Sequence, residues 1–205
     1  MKSQNKKIKN KPQAAHLLSA MNFFAEAGLL KRVKRSGWWV AGIKDPESVA
    51  EHCFRCAIIG YYLAHTEGAD PYKVLIMTLF NDIHEARIND LHKMGHYYID
   101  FKAAEKIVFG EQIAPLDGNV KRELAVLRSE YEAQKSKESL VARDADILEC
   151  LIQAKEYVDH GHTGARKFLM RAPKFLKTPG ARTLSRHLKQ WKSDAWWMKI
   201  VKFER

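Results

Sequence analysis

The sequence predicts an all-α protein, and three observations carry that prediction. Apolar residues recur at helical spacing through most of the 205-residue chain, whereas alternating, strand-like patterns are almost absent. Glycine and proline are few, with 11 and 6 residues, which argues against the many turns of a β-sandwich or barrel. Apolar residues make up 46% and charged residues 29% of the chain, so a substantial core can form and extensive disorder is excluded.

The first predicted helix covers residues 13–30, where apolar residues repeat at helical spacing up to Gly28. A polar connector follows at residues 31–44. Its GWWVAGI stretch is the one short strand candidate in the sequence. The connector therefore separates the first helix from the helices that follow.

Two Asp-Pro dipeptides mark the predicted starts of two helices. Asp45-Pro46 and Asp70-Pro71 each combine an N-cap residue with proline at the first helical position, where the missing N–H is not needed. The second of these helices is predicted to run to about Arg87. Further helices are predicted near residues 99–110, 119–135, 138–159, 164–170 and 181–193.

The net charge of +11 is concentrated at the two ends of the chain. Residues 1–12 carry +5 and residues 166–205 carry +10, whereas residues 13–165 carry −4. A mildly acidic body with basic ends does not favour a nucleic-acid groove, so a nucleic-acid partner is not expected. The predicted organisation is a basic disordered arm over 1–12, a helical domain over 13–170 and a basic C-terminal helical extension packed on it over 171–205.

Composition also bears on the compartment. The chain has no apolar run of the roughly 20 residues that a membrane span needs, and its lysine-rich start lacks the apolar region of an export signal. Three cysteines do not make a disulfide framework, so a cytoplasmic protein without membrane association is predicted.

Cys53 and Cys56 are interpreted as buried thiols rather than a metal or redox pair. Trp191, Trp196 and Trp197 fit either a helix packed on the bundle or a dimer contact.

Polar residues interrupt the apolar stripes of three predicted helices. His52 lies in an otherwise apolar stripe of the helix predicted from Pro46. Asp82 and Glu85 end the stripe of the next helix, and Asp146 lies in the middle of a helix that is apolar around most of its circumference. Buried carboxylates without partners are costly, so these groups need hydrogen-bond donors, cations or a metal ion.

Each of these residues also has a purely structural interpretation. His52 can be a hydrogen-bonded core histidine, and Asp146 can pair with Arg143. Asp82 can cap a neighbouring helix, and Glu85 can be solvated near a helix end. One shared cation, however, would satisfy His52, Asp82 and Asp146 together. Imidazole and carboxylates are ligands that Mn, Co, Fe, Ni and Zn accept.

Four segments resemble those of the HD-domain metal-dependent phosphohydrolases, in the family's order and at about its spacing. They are LKRVKRSGWW, PESVAEHCFRCA, TLFNDIHEARINDLHK and VARDADILECLIQAKEY, and they cover most of residues 20–160. The nearest branch is that of the small 5'-deoxynucleotidases. The resemblance implies a single HD-domain helical bundle, a divalent transition metal (Mn, Co, Ni, Fe or Zn) and a homodimer. It also implies hydrolysis of nucleoside 5'-monophosphates, with a preference for 2'-deoxyribonucleotides.

The same resemblance implies roles for residues around the substrate. Glu85 resembles the carboxylate that activates or orients the attacking water. Asp82 resembles the catalytic aspartate of the family. Arg35 and Trp38 resemble connector residues that hold the phosphate and the sugar. Asp90 resembles an acid near the nucleotide sugar.

By position, His52, Asp82 and Asp146 resemble the family's metal ligands, but the His-Asp dipeptide of the family is Asn81-Asp82 in this chain. An amide oxygen is a neutral, weak ligand for a transition metal. Three outcomes are open. The metal binds more weakly, with water or Asn81 filling the gap; His84 takes the missing position; or the site holds no metal and the chain is an inactive nucleotide-binding protein. A nucleic-acid-associated protein is a further alternative.

Overall fold

The structure, a computed structural model, describes residues 4–201 and, of their side chains, those from residue 16 onward. This part of the chain forms twelve helices and no strand, which confirms the all-α prediction. The helices are α1 Gln4–Leu29, α2 Gly37–Val40, α3 Val49–Glu67, α4 Pro71–Leu79, α5 Glu85–Ile88, α6 Lys93–Tyr98, α7 Phe101–Ile113, α8 Gly118–Ala133, α9 Lys137–Asp159, α10 Arg166–Arg171, α11 Pro179–His187 and α12 Ala195–Met198. Short 3-10 turns lie at Thr163–Ala165 and Ala172–Phe175.

Two of these helices bear on the N-terminal predictions. Helix α1 begins at Gln4, inside the segment 1–12 for which a disordered arm is predicted. Residues 1–3 and 202–205 lie outside the described residues, so the arm stays a prediction. The strand candidate in the connector is wrong, because its residues Gly37–Val40 form the helical turn α2. No helix in the described part of the chain is both long enough and apolar enough to cross a bilayer.

Helix α3 begins at Val49, so the predicted start after Asp45 is wrong. Its N-cap is Ser48, whose Oγ accepts a hydrogen bond from the backbone N–H of Glu51 at 3.2 Å. The Glu51 carboxylate in turn accepts from the backbone N–H of Ser48 at 2.6 Å. This capping box satisfies two free N–H groups at once. Asp45, in contrast, is largely exposed and pairs with Lys34 at 2.6 Å.

Helix α4 starts where the sequence predicts and ends earlier. Asp70 caps it by accepting from the backbone N–H groups of Tyr72 and Lys73, at 2.9 and 3.2 Å. The helix ends at Leu79 rather than near Arg87, and a turn over residues 80–84 precedes α5. Asp82 therefore lies in a turn and not on the predicted continuous helix.

Helices α3, α4 and α9 pack against one another at the centre of the fold. Leu63 of α3, Val74 of α4 and Leu148 of α9 belong to one cluster of buried apolar residues, each at most 1% exposed. Burial of this apolar surface is the main stabilising contribution at the centre. Because His52 lies on α3 and Asp146 on α9, this packing also brings the predicted site residues toward each other.

The C-terminal segment joins the same core. Leu176 and Ala181 are buried in the cluster that contains the centre of α9. Asp144, which is fully buried on α9, accepts hydrogen bonds from the backbone N–H groups of Lys177 and Thr178, at 2.9 and 2.6 Å. The chain between α10 and α11 is thus fixed to the central helix by packing and by hydrogen bonds.

The capping box generates a direct stability test. We expect Ser48→Ala to lower the free energy of unfolding by about 1–2 kcal/mol, because the first turn of α3 loses its side-chain acceptor. Asp45→Ala is the matched control, and we expect it to cost less than about 1 kcal/mol because Asp45 forms an exposed ion pair. Urea unfolding followed by far-UV circular dichroism measures both. A larger loss for Asp45→Ala would show that the helix starts where the sequence predicts.

Candidate active site

His52 lies at the centre of the site, on the buried face of α3. Its side chain is 2% exposed, and its Nε2 lies 3.1 Å from Asp146 Oδ1 and 3.5 Å from Asp82 Oδ2. The three residues come from α3, from the turn after α4 and from α9. The structure therefore brings together the three side chains for which the sequence predicts one shared cation.

The other ring nitrogen of His52 faces a residue that the sequence did not single out. Nδ1 lies 2.5 Å from Oε2 of Glu149, whose side chain is fully buried. The Nε and Nη2 groups of Arg55 donate to the second oxygen of Glu149 at 2.9 and 2.7 Å. The sequence contains only a weak indication that Glu149 belongs to the site. It follows Asp146 by three residues, which places both on one face of a helix.

The surrounding charges determine the protonation of His52. Burial and the charge of Arg35 lower its pKa, but the carboxylates of Glu149 and Asp146 outweigh them and raise the pKa to about 10. Without a cation, the imidazole is therefore protonated at neutral pH and donates to carboxylates on both sides. A metal ion bound at Nε2 would take the place of that proton.

Among the described residues, one group of side chains around His52 has all its ligand atoms close together, and the group predicted from the sequence is a second candidate for holding a metal ion. One comprises His52, Glu47 and Glu149, whose ligand atoms lie within 4.8 Å of one another. The other comprises His52, Asp82 and Asp146. For bonds of about 2.1 Å, ligand atoms 3.1 and 3.5 Å apart subtend about 95° and about 113° at an ion, angles wide enough for separate ligands. The 2.5 Å between Nδ1 and Glu149 would subtend about 73°, too narrow for two separate ligands. The spacing at Nε2, with Asp82 and Asp146, therefore suits a metal ion better than the spacing at Nδ1, with Glu149.

Glu47 is also poorly suited to a metal ion. Its Oε1 accepts from the indole N–H of Trp38 at 2.9 Å, and burial together with the Glu149 carboxylate raises its pKa to about 7. Metal binding requires the deprotonated carboxylate. Trp38 itself is 3% exposed, and its ring packs against Tyr157 and Phe168. Its assignment to the sugar stays a prediction, and a sugar could reach only a small part of this ring as it is packed here.

Arg35 and Asp90 meet beside Asp82. An Nη1 atom of Arg35 lies 3.6 Å from Asp82 Oδ2 and 3.8 Å from Asp90 Oδ1. Asn89 follows α5 with a φ of 62° and a ψ of 165°, a strained conformation that residues with a side chain rarely adopt, and Asp90 comes directly after it. The backbone N–H of Ser36 donates to Asp90 Oδ2 at 2.5 Å. The predicted phosphate-binding arginine thus lies next to the predicted metal ligands.

Glu85 is buried at the first position of α5, with 5% exposure. Its Oε2 has no hydrogen-bond partner among the described residues. Burial and the charge of Asp82 raise the pKa of Glu85 well above its usual range. A raised pKa makes the ionised carboxylate a stronger base than an exposed one, which favours transfer of a proton from a water molecule.

Asn81 and His84 lie in the same turn and have different partners. The Nδ2 group of Asn81 donates to Asp82 Oδ1 at 2.8 Å, so in this arrangement the amide orients the carboxylate. The backbone carbonyl of Asn81 accepts from Nη1 of Arg128 at 2.7 Å. Nε2 of His84 faces Glu105 of α7 instead, at 3.5 Å, without a hydrogen bond. The structure therefore gives no support to His84 as the replacement for the missing histidine.

The HD domain family matches this chain over residues 27–178, which is most of its length. The chain belongs to the HD-domain family. The match spans the connector, the turn with Asp82, and the part of α9 that carries Asp146 and Glu149. The resemblance predicted from the four sequence segments is therefore confirmed.

Relatives of this HD domain include named enzymes. The 5'-deoxynucleotidase HDDC2 of Dictyostelium discoideum is 33% identical over 150 residues, covering 69% of this chain and 79% of that protein. The human 5'-deoxynucleotidase HDDC2 is 29% identical over 149 residues, covering 72% of each chain. A crystal structure of a protein from Pyrococcus horikoshii OT3 is 27% identical with a TM-score of 0.70, covering 83% of this chain and 96% of that one.

The turn that carries Asp82 in this HD domain depends on Arg128. We expect Arg128→Met to lower the free energy of unfolding by about 1–3 kcal/mol, because the Asn81 carbonyl loses its donor. We also expect faster hydrogen exchange of the backbone amides of residues 83–86. Glu132→Gln, which removes the charge of an exposed partner of the same arginine, is the control and should change neither. Equal effects of the two variants would show that Arg128 does not hold the turn.

Proposed function

We propose that this HD-domain protein is a metal-dependent phosphohydrolase that releases phosphate from nucleoside 5'-monophosphates, preferring 2'-deoxyribonucleotides. The observation that carries the proposal is that Nε2 of His52 lies 3.1 Å from Asp146 and 3.5 Å from Asp82, in a chain that is 33% identical to a 5'-deoxynucleotidase. The names of its relatives do not favour an inactive nucleotide-binding protein or a nucleic-acid-associated protein.

In this proposal, Nε2 of His52 and the carboxylates of Asp82 and Asp146 hold a divalent transition metal, which is Mn, Co, Ni, Fe or Zn. Asn81 supplies its amide oxygen or leaves its position to water. An ion of this type polarises a phosphoryl oxygen and lowers the pKa of a bound water. The Asp146 side chain is 29% exposed, compared with 2% for His52, so a substrate reaches the site from the Asp146 side.

The other side chains bind and orient the substrate. Arg35 lies 3.6 Å or more from its two carboxylate neighbours, beyond good hydrogen-bond distance, so its N–H groups are able to donate to a phosphate. Glu85 takes a proton from the attacking water at its unpartnered Oε2. Asp90, fixed by Ser36, borders the sugar. Trp38 forms a rigid wall of the sugar site, since Glu47 holds its indole N–H.

We also propose a homodimer in the cytoplasm. Trp196 is 66% exposed near the end of the described chain, and large exposed aromatic residues are typical of protein interfaces. The three cysteines are free thiols, as expected in a reducing compartment. Burial raises the pKa values of Cys53 and Cys56 well above the usual range, in keeping with their interpretation as unreactive core residues.

Phosphate release from deoxyribonucleoside and ribonucleoside 5'-monophosphates tests the activity. We expect turnover with Mn, Co or Ni, loss of turnover with EDTA and recovery when metal is returned. Because imidazole binds these ions more strongly than an amide, Asn81→His should tighten metal binding and raise turnover at low metal concentration. Asp146→Asn should lower turnover by about 100-fold or more. Asp159→Asn on the same helix, far along α9, is the control and should have no effect.

Metal analysis of protein purified without chelator complements the assay. We expect about one equivalent of a transition metal per chain, and less in Asp146→Asn than in the Asp159→Asn control. The proposed function is wrong if neither the wild-type protein nor Asn81→His releases phosphate with any of the metals.

A further inference from the structure

We propose that Glu149 and Arg55 form a positioning pair that fixes the orientation and the tautomer of His52, and so directs Nε2 toward the metal ion. Neither residue touches the metal site directly in this assignment. The inference deepens the proposed function, on which it rests, because it assigns to both residues a role in metal binding.

The first step concerns the proton on His52. A neutral imidazole carries one N–H, and an ionised carboxylate only accepts hydrogen bonds. Because Glu149 Oε2 lies 2.5 Å from Nδ1, the N–H of a metal-bound His52 is on Nδ1. The lone pair is then on Nε2, which faces Asp82 and Asp146. Metal-ligating histidines generally donate their second ring N–H to such an acceptor.

The second step concerns the state of Glu149. A carboxylate with no solvent exposure is stable as an anion only beside a cation with good hydrogen-bond geometry. Arg55 provides this, because two of its nitrogens donate to Oε1 of Glu149 at 2.9 and 2.7 Å. Oε2 remains available for His52. One oxygen of Glu149 thus serves the arginine and the other serves the imidazole.

The third step concerns Arg55 itself, which is held from its far side. Its Nη1 donates to both oxygens of Glu156 at 2.9 and 2.8 Å, and its Nη2 donates to Gln153 Oε1 at 2.5 Å. Glu149, Gln153 and Glu156 are spaced by four and three residues, so one face of α9 supplies all three acceptors. A single helix face therefore fixes the guanidinium, and through Glu149 it fixes the imidazole of α3.

A purely structural role predicts a different result, and α9 contains the control. Asp144 is a second carboxylate on this helix with no exposure, and its partners are the backbone N–H groups of Lys177 and Thr178 rather than His52. Asp144→Asn and Glu149→Gln both replace a buried carboxylate by an amide of similar shape. Only the second variant changes the acceptor of His52.

Cobalt binding to the metal-free, full-length protein tests the inference. Competition with a chromogenic chelator gives the affinity for Co²⁺, and the visible absorption of bound Co²⁺ reports on its ligand field. We expect Glu149→Gln to weaken Co²⁺ binding by about 10–100-fold and to shift the absorption bands. Asp144→Asn should lower the thermal stability but leave the affinity and the bands unchanged.

Arg55→Lys provides a second variant in case Glu149→Gln does not fold, since the Arg55 side chain is 28% exposed. A lysine keeps the charge but cannot donate the two hydrogen bonds of the guanidinium to Glu149, so we expect Co²⁺ binding to weaken by about 10-fold. In the double variant, Arg55→Lys should add little to Glu149→Gln, because Arg55 acts through Glu149.

The outcomes separate this inference from the proposed function. If the wild-type protein does not bind Co²⁺, the proposed function is contradicted and this inference with it. If the wild type binds Co²⁺ and Asp144→Asn weakens binding as much as Glu149→Gln, the positioning role alone is overturned. Unchanged affinity in both Glu149→Gln and Arg55→Lys overturns it as well.

Discussion

The buried charges around His52 have to be compensated, and the carboxylates involved come from the turn after α4 and from α9. Carboxylates of Asp82, Asp146 and Glu149 surround one imidazole whose side chain is 2% exposed. Buried anions are stable only beside cations or hydrogen-bond donors. Arg55 fulfils this on the Nδ1 side. On the Nε2 side two carboxylates share one proton donor. A divalent cation bound there would compensate their charge.

Much of the fold could be predicted, because the helical signal is local. The central helices and the capping of α4 by Asp70 follow from patterns within a few residues. Two boundaries did not follow. Two capping signals lie close together before α3, and the sequence alone does not show that Ser48 is enclosed while Asp45 is exposed. Helix α4 stops without a glycine or proline to mark its end, and the carbonyl of Asn81 in the following turn accepts from Arg128, which is 47 residues away in the chain.

The same distinction holds for the site. His52, Asp82 and Asp146 could be singled out because each interrupts a local apolar pattern in the sequence, although Asp82 lies in a turn rather than on the predicted helix. Glu149 and Arg55 could not, because their meaning depends on a contact between residues 94 positions apart in the chain. Sequence periodicity reveals that a polar group is buried. It does not reveal which group compensates its charge.

The attachment of the C-terminal segment to α9 has a consequence for the extent of the folding unit. The HD domain match ends at residue 178. The backbone N–H groups of Lys177 and Thr178 donate hydrogen bonds to the buried carboxylate of Asp144. In a fragment that stopped at residue 170, the buried carboxylate of Asp144 would lose these donors. The apolar surface that Leu176 covers would be exposed to solvent. These contacts make residues 176–181, in the basic C-terminal extension, an integral part of the helical core.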